Sequence, residues 1–520
     1  MKRLLLFLLL AQSVLLVAAQ QLRNPVIPGF HPDPSVCRVG DDFYLVNSSF
    51  HYFPGVPIFH SKDLVNWEQI GNVLDRESQL PLEGATSWLG IYAPTIRYHE
   101  GTYYMITTNV GKRGNFLVTA KNPAGPWSEP VWLEQGGIDP SLYFEDGKCY
   151  MVSNPDNTIV LCEIDPVTGK QLTQGRPLWQ GTGGRWPEGP HIYKKDGYYY
   201  LLISEGGTEL AHKLTIARSR NIYGPYESNP ANPILTNCSR GGQSMQIQGT
   251  GHGDFVQAQD GSWWMVFLAY RNFGGSYHHI GRETCLVPVE WKAGEWPVVG
   301  GGRAVDTLMT VKTLPAVPVK KPASRTLFNK GIQLGPEWVY LQNPIMANYQ
   351  LTEGKLRLVS HGTLAENRQP TFLGRRQESP NILVETEVTL HHPIEDKYGL
   401  AVYQINDGYL MFYATSHDIN VEYRLKSVNG ILASEDWSLA DVPERVRLRI
   451  TSNGERYYFS YACNDETSYT PLADIECSLV STEVVGGFTG VTIGMFTECF
   501  FNNSSATAYG DFSYFDYIER

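Results

Sequence analysis

The chain has 520 residues, 42% of them hydrophobic and 12% aromatic, with 50 glycines and a formal net charge of −11 from 42 basic and 53 acidic side chains. That length exceeds one ordinary domain and implies two or three. The lack of any strongly basic block argues against nucleic acid as a partner, and a neutral or mildly polar substrate fits better. The aromatic and glycine content points to an all-β protein, rich in turns and in strands that favour Tyr, Trp and Phe.

The chain opens with Met1-Lys2-Arg3, a mostly apolar stretch from Leu4 to Val17, and then Ala18-Ala19-Gln20. A positive start, an apolar middle and small residues at the cut describe a secretory signal peptide over residues 1–19. The apolar run is short for spanning a bilayer. No cysteine follows the cut, so the mature protein is expected to be exported, periplasmic or secreted, with no membrane anchor. The eight cysteines show no CxxC pair and no zinc-ligand spacing. They are expected to be mostly buried thiols, with a pair such as Cys149 and Cys162 across a hairpin as the exception. Asn-x-Ser triplets start at Asn47, Asn237, Asn502 and Asn503 and read as chance, Asn47 in particular ending an inner strand.

Residues 20–312 carry a repeat. Five short aromatic strands follow one another: Asp42-Phe43-Tyr44-Leu45-Val46, Thr102-Tyr103-Tyr104-Met105, Lys148-Cys149-Tyr150-Met151, Tyr198-Tyr199-Tyr200-Leu201 and Ser262-Trp263-Trp264-Met265. Aligned on Tyr44, Tyr104, Tyr150, Tyr200 and Trp264, they recur at intervals of 60, 46, 50 and 64 residues. Repeats of this period with several strands apiece predict a five-bladed β-propeller. Each repeat runs on from this inner strand into a second one, and several then reach a turn closed by Trp or Tyr, as at Gly125-Pro126-Trp127 and Gly224-Pro225-Tyr226. Upstream of the five strands, at a near-constant distance, stand Asp33, Thr95, Asp139, Glu188 and His252. Equivalent positions in a propeller converge on the central axis, so two aspartates, a glutamate and a histidine are expected to meet in one pocket.

A proline-rich stretch over 313–324 (Pro315, Pro318, Pro322) cannot join a sheet interior and reads as a linker. From Arg325 to Arg520 the repeat gives way to short alternating strands. Arg445-Val446-Arg447-Leu448-Arg449-Ile450 has the period-2 pattern of a strand with one buried face. A β-sandwich of roughly two hundred residues is the simplest architecture for this part.

Two carboxyl groups flanking a sugar are the usual equipment for cleaving a glycosidic bond, one donating a proton to the leaving oxygen and the other activating water or attacking. A third acid nearby can hold up the donor's pKa by like-charge repulsion. Asn24-Pro25-Val26-Ile27-Pro28-Gly29-Phe30-His31-Pro32-Asp33-Pro34-Ser35 resembles the N-terminal motif of glycoside hydrolase family 43. Gly137-Ile138-Asp139-Pro140-Ser141 and Pro187-Glu188-Gly189-Pro190-His191 resemble two further motifs of that family, as do Gly251-His252-Gly253 and Gly281-Arg282-Glu283-Thr284. The resemblance covers nearly the whole mature chain. It implies that Asp33 is the general base, Glu188 the general acid and Asp139 the residue that tunes and orients the acid. It further implies that His252 lies beneath the site, that Arg282 touches sugar hydroxyls and that Phe50 forms an aromatic wall. Where many relatives have Trp-Ala-Pro-Asp, this chain has Tyr92-Ala93-Pro94-Thr95, so the wall and its charge differ there. The C-terminal part resembles the concanavalin-like sandwich of exo-acting members. No cofactor is required on this resemblance, though a structural calcium near His252 is left open.

The expected activity is an inverting exo-glycosidase that releases terminal α-L-arabinofuranose from plant hemicellulose oligosaccharides, from xyloglucan or arabinoxylan side chains. A β-D-xylosidase is the alternative enzyme, because the two sugars present similar hydroxyls. A carbohydrate-binding propeller without catalysis is the alternative of another class, and the intact set of acids argues against it.

Overall fold

The Glu-Gly and Asp-Gly pairs at 100–101, 146–147 and 196–197 decide where the chain folds back. Both residues of each pair have positive φ: 46° and 75°, 50° and 74°, 51° and 75°. That is the two-residue hairpin turn whose twist matches the strands it joins. The computed structural model describes residues 20–239, 241–391, 396–437, 442–499 and 508–520, so the expected signal peptide and the triplets at Asn502 and Asn503 lie outside the described residues.

Five antiparallel blades follow. Blade 1 comprises Ser35–Val39, Asp42–Val46, Gly55–Ser61 and Glu68–Leu74. Blade 2 comprises Thr95–His99, Thr102–Val110, Gly114–Ala120 and Val131–Trp132, with Gly90–Ile91 added against its second strand. Blade 3 comprises Ile138–Glu145, Lys148–Asn154, Ile159–Ile164 and Arg176–Trp179. Blade 4 comprises Glu188–Lys195, Tyr198–Glu205, Lys213–Ser219 and Glu227–Ser228, and blade 5 Ile247–Gln257, Trp263–Arg271, Arg282–Glu290 and Val298–Val299. The aromatic strands that mark the repeat are therefore the second of each blade, not the innermost. The innermost strand is the segment just upstream, led by the chemically active residue. It lacks the aromatic marker because it faces a narrow axis rather than a neighbouring blade.

The aromatic strands pack blade on blade. Five apolar clusters close the ring: Val46, Ile58 and Met105 join blades 1 and 2; Leu117, Leu142 and Met151 join 2 and 3; Val152, Ile192 and Leu201 join 3 and 4; Tyr200, Phe255 and Phe267 join 4 and 5; Val36, Phe43 and Trp264 join 5 and 1. Burying these faces is the main favourable term holding the blades together. Gln20–Arg23 pairs with Leu308–Val311, and Asn24 exchanges side-chain hydrogen bonds with the backbone of Leu286 in blade 5. Cys149 and Cys162 stand opposite Ile164 and Met151 rather than each other, and no disulfide joins them. Burial pushes both thiols up to about 12. Asn47 and Asn237 are fully buried, which leaves no room for a glycan at either.

No strand occupies residues 312–324. The C-terminal part packs two large sheets over a core that includes Trp338, Leu400, Phe412, Leu448, Phe459, Met495 and Phe515. The domains are not independent beads. Tyr52–Phe53 of the propeller pairs with Trp338–Leu341 as the edge of a sandwich sheet. Around that strand Phe30, Phe50 and Tyr52 form one apolar cluster with Val339, Leu341, Phe372, Tyr403 and Phe496.

Candidate active site

The innermost strands are irregular where they enter the axis. The register of blade 3 slips between Ile138 and Ser141, that of blade 4 between Glu188 and His191, and that of blade 5 twice between Gln248 and Gly253. Such bulges re-aim side chains. Asp33, Asp139 and His252 take φ of 52°, 53° and 38°, as does Gly189 at 59°. In the hairpin turns this conformation reverses the chain; here, at the entry to the inner strands, it aims the side chains at the axis.

All seven residues singled out in the sequence line one pocket of about 70 Å³: Asp33, Phe50, Tyr92, Asp139, Glu188, His252 and Arg282. Thr95, the equivalent position of blade 2, is buried but does not line it. Asp33 accepts a hydrogen bond of 2.5 Å from the Ser48 hydroxyl and one of 3.2 Å from Arg282 Nη1. His252 Nδ1 lies 3.8 Å from Asp33 and 4.0 Å from Asp139. Asp139 accepts a 3.1 Å hydrogen bond from the Gly189 amide, next to Glu188.

Three buried carboxyl groups would all be pushed toward the neutral form by desolvation alone, and their neighbours separate them. Burial works to raise Asp33, but Arg282, His252 and the Ser48 hydroxyl together outweigh it and hold Asp33 below its ordinary pKa. Glu188 is raised well above the ordinary value by burial, then by the negative charges of Asp139 and Asp33. Asp139 is raised to about 6, mainly by burial, with His252 and the Gly189 amide opposing. The negative charge of Asp139 is thus one of the causes that push Glu188 toward its protonated form. The pocket therefore biases Asp33 toward the ionised form and Glu188 toward the protonated form, the division of labour that acid–base chemistry needs.

Three lining residues fall outside every motif quoted from the sequence: His212, Thr208 and Phe488. His212 Nε2 lies 4.0 Å from Glu188, and its ring fills the space beside Gly251, where a Cβ would fall 2.2 Å from the ring. Burial lowers its pKa to about 3, so it stands neutral beside the acid. Thr208 accepts a 2.9 Å hydrogen bond from Arg282 Nη1. Phe488 comes from the sandwich. Its carbonyl accepts from Arg282 Nη2 at 3.2 Å, and its ring stands 5.8 Å from Phe50 and 6.0 Å from Tyr92. The loop carrying it is pressed so close that a Cβ on Gly490 would lie 1.9 Å from the Ile280 carbonyl. No local motif announces Phe488, because its role depends on docking of the two domains.

A calcium ion near His252 requires six to eight oxygen ligands at about 2.3–2.6 Å. Among the described residues no three His, Cys, Asp or Glu side chains are grouped to hold a metal ion.

A propeller pocket with a carboxylate biased to the ionised form, an acid biased to the protonated form and a third carboxyl group nearby defines a glycoside hydrolase. Comparison with known proteins supplies the family. The model for glycosyl hydrolases family 43 matches residues 22–297, and that for the β-xylosidase C-terminal concanavalin A-like domain matches residues 325–518. The chain is 41% identical to a non-reducing end α-L-arabinofuranosidase of Bacteroides ovatus, over 96% of this chain and 95% of the relative. It is 40% identical to a xylosidase/arabinosidase of Butyrivibrio fibrisolvens, over 95% of this chain and 98% of the relative. A solved structure described as the xyloglucan PUL GH43B of Bacteroides ovatus superimposes with a TM-score of 0.91 at 41% identity, covering 96% of this chain and all of that one. The chain belongs to glycoside hydrolase family 43 and carries a C-terminal concanavalin A-like domain.

Proposed function

We infer that the enzyme is an inverting exo-glycosidase that releases terminal α-L-arabinofuranose from side chains of plant hemicellulose, xyloglucan or arabinoxylan. The observation that carries the mechanism is the opposite displacement of Asp33 and Glu188 within one pocket. In this reading Glu188 donates its proton to the leaving oxygen as the glycosidic C–O bond breaks. Asp33, ionised, takes a proton from the water that attacks the anomeric carbon from the opposite face. Asp139 keeps Glu188 protonated and orients it. Arg282 holds Asp33 and presents its guanidinium to sugar hydroxyls, while Phe50, Tyr92 and Phe488 wall the ring. His252 supports Asp33 and Asp139 from within the axis. Water is the only co-reactant, so no cofactor enters the reaction.

Arabinofuranoside is favoured by the likeness to the Bacteroides ovatus enzyme. A β-D-xylosidase is the second reading, favoured by the xylosidase/arabinosidase relative. Relative rates on 4-nitrophenyl α-L-arabinofuranoside and 4-nitrophenyl β-D-xyloside, followed by sugar release from the polymers, decide between them. NMR of the first-formed anomer tests inversion; a retained configuration would overturn the roles of base and acid. The positive–apolar–small pattern of residues 1–19 supports export to the periplasm or medium. Sequencing the N-terminus of protein recovered outside the cytoplasm, with Gln20 expected first, tests it.

A further inference from the structure

Beside the pocket lies a larger surface groove of about 530 Å³, lined by Asn157, Gln180, Arg185, Trp186 and Pro187 among others. It adjoins the active site along the chain: Pro187 lines the groove and the next residue, Glu188, lines the pocket. The 206–208 loop links them a second time. A Cβ on Gly207 would fall 2.8 Å from the Trp186 ring, whereas the next residue, Thr208, faces the pocket.

Trp186 is 49% exposed, yet its position is strongly specified. Its backbone has φ of 50°, in the left-handed region. Gly207 leaves room for the ring, the Arg185 guanidinium lies 4.6 Å from its centroid, and Gly206 N–H donates to the Arg185 carbonyl at 2.7 Å. The preceding turn is tied to a buried carboxylate: Glu205 accepts hydrogen bonds from the amides of Thr182 and Gly184 and from the hydroxyls of Thr182 and Thr215. A large ring held rigid and half-bare is a platform for a flat apolar partner. The groove's other side chains, Asn157, Gln180 and Arg185, offer planar hydrogen-bonding groups. An aromatic floor with polar walls suits the face and hydroxyl edge of a pyranose ring.

We propose that Trp186 and this groove form the leaving-group subsite, binding the backbone sugar from which the terminal pentose is cut. The inference rests on the glycosidase reading above, because Glu188 protonates the leaving oxygen and the departing chain must lie on its side of the pocket. Trp88, at 44% exposed, is the other bare tryptophan among the described residues. It packs edge-on against Phe488 at 4.9 Å and belongs to the terminal-sugar wall instead.

The test is calorimetric binding in the Glu188→Ala background, which is expected to bind without rapid turnover. The probes are an arabinose-substituted xylo-oligosaccharide and methyl α-L-arabinofuranoside, which lacks the backbone sugar. The oligosaccharide is expected to bind more tightly, and Trp186→Ala should reduce that advantage by about tenfold, the size of one aromatic stacking contact. Trp186→Tyr should restore most of it, which a merely structural role would not do. No advantage of the oligosaccharide, equal weakening of both probes by Trp186→Ala, or no weakening at all would overturn the subsite. Failure of the glycosidase reading looks different: wild type would release no sugar from the oligosaccharide, while the Trp186-dependent gain in binding persisted.

Discussion

Two buried carboxyl layers sit on the propeller axis, a few residues apart on the same inner strands, and they behave oppositely. In the pocket layer Asp33, Asp139, Glu188 and His252 leave proton affinity to be tuned. Two or three residues further along those strands, Ser35, Arg97, His191 and Asp254 form the layer beneath. Asp254 is fully buried and accepts hydrogen bonds from Ser35, the Val36 amide, Arg97 and Tyr193. Burial alone would raise its pKa, but Arg97 and these donors hold it far below the ordinary range. Glu188, partly open to the pocket, has a neutral His212 at 4.0 Å and two carboxyl groups for neighbours, and is pushed the other way. Burial makes a carboxyl group responsive; its neighbours choose the direction. The lower layer pins blades 1, 2, 4 and 5 together, and the upper layer works.

The sharpest way to break this contrast is to remove the two working acids. Glu188→Ala should lower hydrolysis of alkyl and polysaccharide glycosides by about 10²–10⁴-fold, with a much smaller loss on activated aryl glycosides that depart without a proton. Asp33→Ala should damage both substrate types alike, because water needs activation in either case. Equal losses for Glu188→Ala on both would remove its role as acid. In the lower layer, Arg97→Ala should instead cost stability, about 3–5 kcal/mol in denaturant unfolding, since it strands the Asp254 charge in the interior. A loss of activity with unchanged stability would erase the distinction between layers.

The pH dependence of stability should differ in sign between the layers. Asp254, with a depressed folded pKa, contributes stability that is present above its unfolded value near ~4 and lost as pH falls toward the folded value. Glu188, with a raised folded pKa, contributes stability below its unfolded value near ~4.3 and loses it as pH rises through the folded value. Asp254→Asn should therefore flatten the acid side of the stability profile, and Glu188→Gln the decline that begins above pH ~4.3. Phe488→Ala tests the wall lent by the sandwich, with an expected loss of about tenfold in kcat/KM and little change in unfolding. The smallest effect concerns Asp139→Asn. Removing its negative charge lowers the Glu188 pKa, so the alkaline limb of the activity profile moves to lower pH. The limb moves only in part, because burial remains the larger cause. An immobile limb would leave Asp139 with positioning alone.

Much of this was readable in the chain because a propeller repeats. Asp-Gly and Glu-Gly hairpin turns and period-2 apolar strands are local signals, and their recurrence counts the blades. The same recurrence brings Asp33, Asp139, Glu188 and His252 to one axis, since equivalent positions in a closed ring must converge. The order of strands within a blade was less legible, and the aromatic strand proved second rather than innermost, because an axial strand flanked by polar partners lacks a strong apolar pattern. Long-range docking alone decided the rest. Phe488 lies 206 residues after Arg282 in the chain yet accepts its hydrogen bond, and Tyr52–Phe53 becomes a strand only against Tyr340 and Leu341. Composition and spacing determine which groups the chain owns and which turns it can make. Packing of one domain against the other decides what each buried carboxyl faces, because electrostatic neighbours are set by distance in space and not by distance along the chain.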